Sequence, residues 1–328
     1  MSTEQMKQTW QEFLGSRKLP KTEVDDAKMI RRLEKPKGKV DVVLDTDTYN
    51  EVDDQYALSY LIKSDDKLTL KAIYAAPFFN EKSSGPADGM EKSYHEIMNV
   101  LTLIEREDLK EHVYRGSTRY LPSETQPVIS DAANDLAERA MQYSEENPLY
   151  VIAIGAITNI ASALLIKPEI KDRIVLIWLG GNALNWPDNY EGEFNLLQDI
   201  AGARIVFGCG VPLVQLPCMG VVSAFTTSGP ELEYHLRGKN KLCDYLVDIT
   251  TKEATAGSKV PTWTRIIWDV TTVGWLLDGD FMDDRLEHSP IPGYDSHYAF
   301  DSRRHLFKYV YNIKRDNLFA DLFKKLSK

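Results

Sequence analysis

The sequence predicts an α/β fold with a single open, mostly parallel, Rossmann-like sheet flanked by helices. Two observations support this prediction: strand-like and helix-like segments alternate along the chain, and the strand-like segments are short and apolar. Such strands are typical of parallel sheets buried on both faces, and their alternation with helices is typical of repeated βαβ units. No internal repeat or flexible linker interrupts the pattern, so we expect one main domain over residues 36–328.

Five segments are predicted as strands of the main sheet. They are VDVVLD (40–45), LTLKAIYAA (68–76), LYVIAIG (149–155), RIVLIWLG (173–180) and VPLVQLP (211–217). Helices are predicted at 53–62, 90–104, 131–144, 159–165 and 200–207, and residues 280–328 add the strand HLFKYVYNI and a final helix ending in FADLFKKL. The acidic string DGDFMDDRLE from Asp278 lacks the spacing and glycine of an EF-hand loop, so we interpret it as a solvated turn.

Residues 1–35 are predicted to form an N-terminal helical extension with one apolar face. That face contains Met6, Trp10, Phe13 and Leu14. Packing on the chain's own domain is the favoured interpretation, and a subunit contact is the alternative. Because the N-terminus lacks the apolar core of a secretion signal, we expect a cytoplasmic location.

Composition indicates an ordinary enzyme-sized protein with a small-molecule partner. The 328 residues are 43% apolar, enough for a sizeable core, and no stretch approaches a membrane span. A net charge of −10 without a basic cluster argues against a nucleic acid polymer as partner. Cys209, Cys218 and Cys243 lack metal-ligand or CxxC spacing, and we expect buried free thiols in a reducing compartment.

Carboxylates are concentrated where the first predicted strand gives way to a helix, in DVVLDTDTYNEVDDQYAL (41–58). Asp45, Asp47, Glu51, Asp53 and Asp54 lie within ten residues. Like charges this close raise one another's pKa unless a bound cation reverses the effect, and ligands of open α/β sheets bind at the carboxyl ends of strands. A capping aspartate in a solvated loop is the alternative, but this density favours a hard cation, Ca²⁺ or Mg²⁺.

This segment resembles the calcium-dependent nucleoside hydrolases, whose N-terminal signature is a strand followed by DTDPGxDD. Here the sequence is DTDTYNEVDD, with the same aspartates and a loop two residues longer. Three further blocks follow in the family's order: AIGAITNIASAL (153–164), IWLGG with GEFNLLQDIAGARIVF (192–207), and WDVTTVGWLLD (268–278). They resemble the family's ALGPLTNIA, MGG with EFNxxxDPEAA, and HDPLAVAYLLD. The resemblance implies a nucleoside hydrolase-like catalytic domain over residues 36–328.

The resemblance also implies one Ca²⁺ with Asp45 in support of its ligands. The implied ligands are the side chains of Asp47, Asp54 and Asp269 and the backbone carbonyl of Thr158. The ion's open positions would hold sugar hydroxyls and a water, and Asp47 would be the general base. A helix N-cap role for Thr158 is compatible with this assignment.

Several residues are implied as sugar contacts. Asp53 and Glu193 would stabilise an oxocarbenium-like transition state by their negative charge. Asn195 would lie on the same side as Glu193 if EFN is extended. Asn80, in AAPFFN, is a displaced substitute for the asparagine of the family's VAGN turn.

The chain departs from the family at the proton donor. Trp268 stands where many members have a histidine that protonates the leaving base. Its ring can stack on a base or sugar, or pack in the core. His95 and His297 are the remaining candidates for the acid, and Asn185 and Asn189 are candidates for a missing sugar-binding asparagine before EFN.

We therefore expect a metal-dependent glycosidic-bond hydrolase, acting by N-ribosyl hydrolysis on a nucleoside or a related sugar compound. The alternatives are a catalytically idle, calcium-dependent sugar-binding protein and a hydrolase of another carbohydrate. A phosphohydrolase is disfavoured, because Tyr49 occupies a position where the haloacid dehalogenase signature requires threonine or valine. We expect no membrane partner and a homo-oligomer, either a dimer or a tetramer.

Overall fold

The computed structural model describes residues 24–256, 260–277 and 279–328. The strands in these ranges are β1 (Val40–Thr46), β2 (Leu68–Ala75), β3 (Val113–Arg115), β4 (Leu149–Ala153), β5 (Ile174–Leu179), β6 (Leu213–Leu216), β7 (Thr226–Ser228), β8 (Thr264–Ile266), β9 (Met282–His288), β10 (Ile291–Pro292), β11 (Tyr298–Ala299) and β12 (Leu306–Ile313). The five strands predicted for the main sheet are all present, with ends that shift by a few residues.

The α-helices of these ranges surround and connect the strands. They are α1 (Asp26–Arg32), α2 (Asp53–Ile62), α3 (Pro86–Leu103), α4 (Asp131–Ala140), α5 (Thr158–Ile166), α6 (Phe194–Gln198), α7 (Ile200–Gly208), α8 (Gly229–His235), α9 (Lys241–Thr255), α10 (Val270–Leu276) and α11 (Arg315–Leu326). Short 3₁₀ helices span Glu107–His112, Pro168–Asp172 and Val222–Ala224. Helix α3 begins four residues before the predicted 90, because Pro86 stands at its first turn, where a missing N–H costs nothing.

An eight-stranded sheet in the order β3-β2-β1-β4-β5-β6-β12-β9 forms the centre of the molecule. Neighbouring strands from β3 to β12 are parallel, and only the edge pair β12–β9 is antiparallel. The pairs β10–β11 and β7–β8 form two small separate sheets. The predicted open, mostly parallel α/β fold is confirmed. Its carboxyl-terminal edge brings together the ends of β1, β4, β5 and β6.

Both faces of the sheet are covered by apolar side chains. Alternate residues of β1 belong to different core clusters: Leu44 shares one cluster with Ile177, and Val43 shares the other with Trp178. This follows from the two-residue period of a strand. Every residue of β5 is buried. The continuous apolar runs in the sequence therefore correspond to strands with no solvated face.

The interpretation of the acidic string near residue 280 as a turn holds for residues 279–281 and is wrong for the rest of the string. Met282–His288 forms the edge strand β9, which pairs with β12 from Met282 opposite Ile313 to His288 opposite Leu306. Its carboxylates find partners on the neighbouring strand, as in the Lys308–Asp284 ion pair at 3.1 Å. Charged side chains are typical of edge strands, where they discourage pairing with other chains. Asp278 itself lies outside the described residues.

The described part of the N-terminal segment packs on the main body. Met29 and Leu33 are buried in the core. Arg32 donates hydrogen bonds to the carbonyls of Lys171 (3.1 Å) and Ile174 (2.8 Å). The predicted amphipathic face lies outside the described residues: Met6, Trp10, Phe13 and Leu14. Across residues 24–256, 260–277 and 279–328, no helix combines the length and apolarity needed to cross a membrane.

Candidate active site

A cavity of about 180 Å³ opens at the carboxyl-terminal edge of the sheet. We call it the sugar cavity, after the ligand that the sequence predicts. It is smaller than the roughly 300–1,000 Å³ of pockets for drug-sized ligands. Much of the predicted site lines it: Asp47, Asp53, Asp54, Glu193, Asn195, Trp268 and Asp269. Residues that are far apart in the sequence therefore meet where the strand order predicts a ligand.

Three buried carboxylates form a cluster that can hold a cation. Asp53 and Asp54 begin α2, and Asp269 immediately precedes α10. One carboxylate oxygen from each lies within 4.8 Å of the others. The two helices pack against each other, and the Asp269 N–H donates a hydrogen bond to Asp53 Oδ2 at 3.3 Å. The prediction assigned Asp47 as a ligand and Asp53 as a sugar contact, whereas here Asp53 shares the cluster.

Asp45 lies at the end of β1, and Asp47 directly follows the strand. Asp45 is buried, and its Oδ1 accepts a hydrogen bond of 2.7 Å from Asn159 Nδ2. Asp45 Oδ2 and Asp47 Oδ2 are both buried and accept no hydrogen bond from any described residue. A buried carboxylate oxygen without a donor is costly. The unpartnered oxygen of Asp47, which lines the cavity, is therefore suited to a water or a cation.

Burial and mutual repulsion shift the acidity of these groups in one direction. Burial raises the pKa of Asp45, Asp53 and Asp54 to about 7. The pKa values of Asp47 and Asp269 lie well above the usual range, first because of burial and then because of neighbouring aspartates. Without a cation, several of these carboxyl groups would hold protons at neutral pH. The all-oxygen donor set and its charge fit a hard divalent ion.

Glu193 and Asn195 lie at the start of α6, so EFN is not an extended segment, which was the condition for the two side chains to lie on the same side. Glu193 is the N-cap, and its carboxylate accepts hydrogen bonds from the N–H groups of Asn195 (3.0 Å) and Leu196 (2.8 Å), which stabilises a helix start. The Gly181 N–H donates a third bond at 2.6 Å. Asn195 Nδ2 donates to the carbonyls of Ile154 (3.2 Å) and Leu179 (3.0 Å), so its Oδ1 is the atom left for a ligand.

The cavity is also lined by Glu51 of the acidic segment and by three polar residues without a predicted role in the site, Asn50, Asn182 and Cys218. Asn182 directly follows the Gly180–Gly181 turn after β5, and its Oδ1 accepts a hydrogen bond from the Met219 N–H at 3.0 Å. Asn182 and Cys218 both follow predicted strands, and this position was the available signal. The prediction of buried free thiols is confirmed for Cys218 and Cys243. Cys209 is free but only half-buried.

Two residues predicted for the site stand beside it. Asn80 does not line the cavity, but its Nδ2 donates to Oδ1 of Asn50, which does, at 2.6 Å. The Thr158 hydroxyl donates to Asp199 Oδ2 at 2.6 Å, and Thr158 makes no side-chain cap of α5. The role of its carbonyl as a metal ligand stays a prediction.

The alternative residues considered for lost contacts lie away from the cavity. His95 and His297 have exposed side chains, 71% and 63% accessible, and neither is among the cavity-lining residues. Asn185 is exposed, and Asn189 Oδ1 accepts a hydrogen bond from the Tyr298 N–H instead. Trp268, in contrast, lines the cavity with part of its ring packed on the core.

Comparison with known proteins agrees with this geometry. The family model described as inosine-uridine preferring nucleoside hydrolase matches residues 42–299. The chain belongs to this family. Pyrimidine-specific ribonucleoside hydrolase RihA of Escherichia coli O1:K1 / APEC is 27% identical over 175 residues, which cover 46% of this chain and 55% of RihA. The chain thus spans about half the length of the curated relatives it matches.

Solved structures of the same fold cover far more of the chain. A plant nucleoside hydrolase, the PpNRh1 enzyme, superposes with a TM-score of 0.72 at 18% identity, covering 88% of this chain and 99% of that one. The type III effector protein XopQ, complexed with adenosine diphosphate ribose, gives a TM-score of 0.65 at 16% identity, covering 92% and 98%. At these identities the likeness shows the fold, which nucleoside hydrolases share.

Proposed function

We propose that this protein hydrolyses the N-glycosidic bond of ribosyl compounds with one Ca²⁺ in the sugar cavity. The observation that carries the proposal is the buried cluster of Asp53, Asp54 and Asp269 beside the unpartnered Oδ2 of Asp47. Membership of the nucleoside hydrolase family supports the reaction class. The calcium preference rests on the all-oxygen donor set and on the resemblance of DTDTYNEVDD to the family signature.

The ion's ligands in this proposal include the carboxylates of Asp54 and Asp269. Asp47 and the Thr158 carbonyl complete the set by resemblance, and Asp53 lies in the same cluster as Asp54 and Asp269. When bound, the ion would fix neighbouring sugar hydroxyls and lower the pKa of a water. The buried carboxylates would then stay ionised at neutral pH, because the cation outweighs their mutual repulsion.

The chain's own residues would carry the chemical step. Asp47 Oδ2 accepts a proton from water, and the water oxygen bonds to the anomeric carbon as the carbon–nitrogen bond breaks. The negative charges of Asp53 and Glu193 stabilise the positive charge that develops on the sugar ring. Asn195 Oδ1 accepts a hydrogen bond from a sugar hydroxyl.

The leaving base takes the electron pair of the broken bond and needs stabilisation or a proton. Because Trp268 replaces the family's histidine, and His95 and His297 are exposed, we propose substrates whose base departs without an enzymatic proton donor. Trp268 provides a flat face for such a base. We propose to test a panel of purine and pyrimidine ribonucleosides. The panel also includes adenosine diphosphate ribose, because it is the ligand named for XopQ.

The experiment is release of free base or free ribose from this panel, with Ca²⁺ and with chelator. We expect calcium-dependent turnover, and we expect Asp47→Asn to lower kcat by about 100-fold or more, the usual contribution of a general base. Asp65→Asn is the matched control, because Asp65 is an exposed carboxylate outside the cavity. Full activity of Asp47→Asn would contradict the proposal.

A catalytically idle, calcium-dependent sugar-binding protein is the second candidate. The loss of the histidine at Trp268 favours it, because leaving-group activation can disappear while metal and sugar contacts persist. It predicts calcium-dependent binding of ribose without turnover of any compound in the panel. The homo-oligomer and the cytoplasmic location stay predictions from the sequence.

A further inference from the structure

Asn50 lines the sugar cavity, yet neither the metal site nor the chemical step uses it. It lies in the loop between β1 and α2, within the segment that makes this loop longer than the family signature. The residue is buried, with 8% of its surface exposed. Because a buried amide is costly unless its polar atoms have partners, the partners of Asn50 show which of its atoms is left for a ligand.

The protein itself engages three of the four polar groups of Asn50. Its N–H donates to the Asp47 carbonyl at 2.9 Å, and its own carbonyl accepts from Lys82 Nζ at 2.7 Å. Its Oδ1 accepts from Asn80 Nδ2 at 2.6 Å. The fourth group, Nδ2, has no partner among the residues that the structure describes, and it is not among their fully buried unpartnered atoms.

The neighbours of this amide also fix which way it faces. Asn80 Oδ1 accepts a hydrogen bond from the Lys82 N–H at 2.9 Å, so Asn80 turns its Nδ2 toward Asn50. Only an oxygen of Asn50 can accept from that donor, which excludes the flipped amide. Since Asn50 lines the sugar cavity and Asn80 does not, the oxygen is directed to Asn80 and the nitrogen is the polar atom left for a ligand.

A hydrogen-bond donor is a scarce group in the sugar cavity. The charged side chains that line it are all carboxylates, and no lysine, arginine or histidine of the described ranges is among them. The Cys218 thiol is already bonded to Glu193. Carboxylates accept the protons of sugar hydroxyls but offer nothing to the hydroxyl oxygens. The amide N–H of Asn50, in the same segment as Asp47 and Asp53, supplies the complementary donor.

We propose that Asn50 donates a hydrogen bond from Nδ2 to one of the two neighbouring sugar hydroxyls expected at the ion, and that Asn80 is the positioning residue that orients it. This inference deepens the proposed function and rests on its sugar site. It makes Asn50 a specificity-determining residue, because a sugar without that hydroxyl leaves the donor unpaired. Asn80 acts through Asn50 and does not touch the sugar.

The test measures binding of ribose, 2-deoxyribose and 3-deoxyribose to the calcium-loaded full chain by NMR titration. Asn50→Ala should weaken ribose binding about tenfold, the scale of one net hydrogen bond. It should weaken binding of one deoxyribose to a similar extent and leave the other unchanged, because one of the two lacks the contacted hydroxyl. The sugar that is unaffected identifies that hydroxyl.

Two comparisons separate this contact from a structural role. The calcium affinity of Asn50→Ala, measured by calorimetry, should equal that of the wild type, because Asn50 lies outside the carboxylate cluster. Asn312→Ala is the matched control. It also removes an amide hydrogen bond, to Asp283 at 2.9 Å, but it does not line the cavity and should bind all three sugars like the wild type.

Asn80→Ala tests the positioning role. It releases the Asn50 amide, so ribose binding should weaken, although by less than in Asn50→Ala, because the donor is still present but no longer oriented. In the Asn50→Ala background the same change should have no further effect on ribose binding. Additive losses in the double variant would overturn the positioning role of Asn80.

The outcomes also separate this inference from the proposed function. Unchanged ribose binding in Asn50→Ala, or equal weakening of all three sugars, would overturn the contact, while turnover by the wild type would leave the proposed function standing. Loss of calcium binding in Asn50→Ala would assign Asn50 to the metal site and overturn the sugar contact. Ribose binding that depends on Asn50 without turnover of any ribosyl compound would support the contact and remove the proposed hydrolysis. Failure of the wild type to bind ribose would overturn both.

Discussion

The thiol of Cys218 donates a hydrogen bond to Oε1 of Glu193 across 3.5 Å, at the wall of the sugar cavity. The other oxygen of Glu193 accepts from the N–H groups of Gly181 and Leu196. Cys218 therefore completes the hydrogen bonding that fixes this carboxylate. Burial, followed by the charge of Glu193, raises the pKa of the Cys218 thiol well above its usual value, so it remains a donor at neutral pH.

We predict that Cys218 positions Glu193. Cys218→Ser retains a donor and should keep kcat/KM within about threefold, whereas Cys218→Ala loses the bond and should lower it by about tenfold, the scale of one net hydrogen bond. Steady-state kinetics with ribonucleosides tests this. Equal loss in both variants would indicate a packing effect and contradict the positioning role. Because thiolate is scarce at a raised pKa, alkylation of Cys218 by iodoacetamide in the folded protein should also be slow.

Gly155 leaves the space that Asp47 occupies. A Cβ at residue 155 would lie 3.1 Å from Asp47 Cγ and 3.2 Å from Ala76 Cβ, so Asp47 would have to shift by a few tenths of an ångström. We expect Gly155→Ala to lower kcat by about tenfold or more, because catalytic geometry tolerates little displacement. Gly38→Ala is the control, since no described atom lies within 4 Å of its added Cβ. Unchanged kcat in Gly155→Ala would show that Asp47 need not be held at its present position.

Removal of the cation should produce a characteristic pH dependence of stability. In the metal-free protein, burial raises the pKa of Asp45, Asp53 and Asp54 to about 7, above the unfolded value of 3.8. The folded state then holds more protons than the unfolded state between these values, so stability should fall as the pH rises from about 4 to about 7. Calcium should oppose this fall, and its stabilising effect should grow over the same interval.

Thermal unfolding with Ca²⁺ and with chelator measures this linkage without any substrate. A ligand at 1,000 times its Kd stabilises a protein by about 4 kcal/mol. Asp269→Asn should abolish the calcium-dependent rise in Tm, yet raise the Tm of the metal-free protein at pH 7, because one repelling buried carboxylate is gone. A lower metal-free Tm in Asp269→Asn would contradict this account of repulsion in the cluster.

We predict that His305, which lies away from the site, makes the free energy of unfolding sensitive to acid. Its ring is 3% exposed, neither ring nitrogen has a partner in the described part of the chain, and burial lowers its pKa to about 4. The unfolded state binds the proton more readily, so stability should decrease as the pH falls from about 6.5 to about 4, by up to about 3 kcal/mol. His305→Phe should remove this component in denaturant titrations of calcium-loaded protein. An unchanged acid dependence would exclude His305 as its source.

The sequence predicted the local architecture well where one pattern dominates. The helix at Asp53–Ile62 has the predicted bounds, and the apolar runs around Leu44 and Ile177 are strands of the central sheet. The charged segment Met282–His288 was misinterpreted, because an edge strand supported by β12 needs no apolar pattern of its own. The sequence left open whether EFN is extended; Glu193 instead caps α6, a role that depends on side-chain hydrogen bonds which the sequence does not show.

Only those site residues that belong to recognisable motifs could be predicted from the sequence. Asp47, Asp53, Asp54 and Asp269 came from recognisable acidic positions and meet in one cavity. The hydrogen bond from Asn195 Nδ2 to the Ile154 carbonyl has no signature in the sequence, because it joins residues of separate elements. Contacts of this kind are set by tertiary packing alone.

A crystal structure with Ca²⁺ and ribose is the most direct measurement of the central claim. We expect one ion at the cluster of Asp53, Asp54 and Asp269, with Asp47 directed toward it and two neighbouring ribose hydroxyls at the ion. No ion at this cluster in millimolar Ca²⁺, or ribose bound elsewhere, would contradict it.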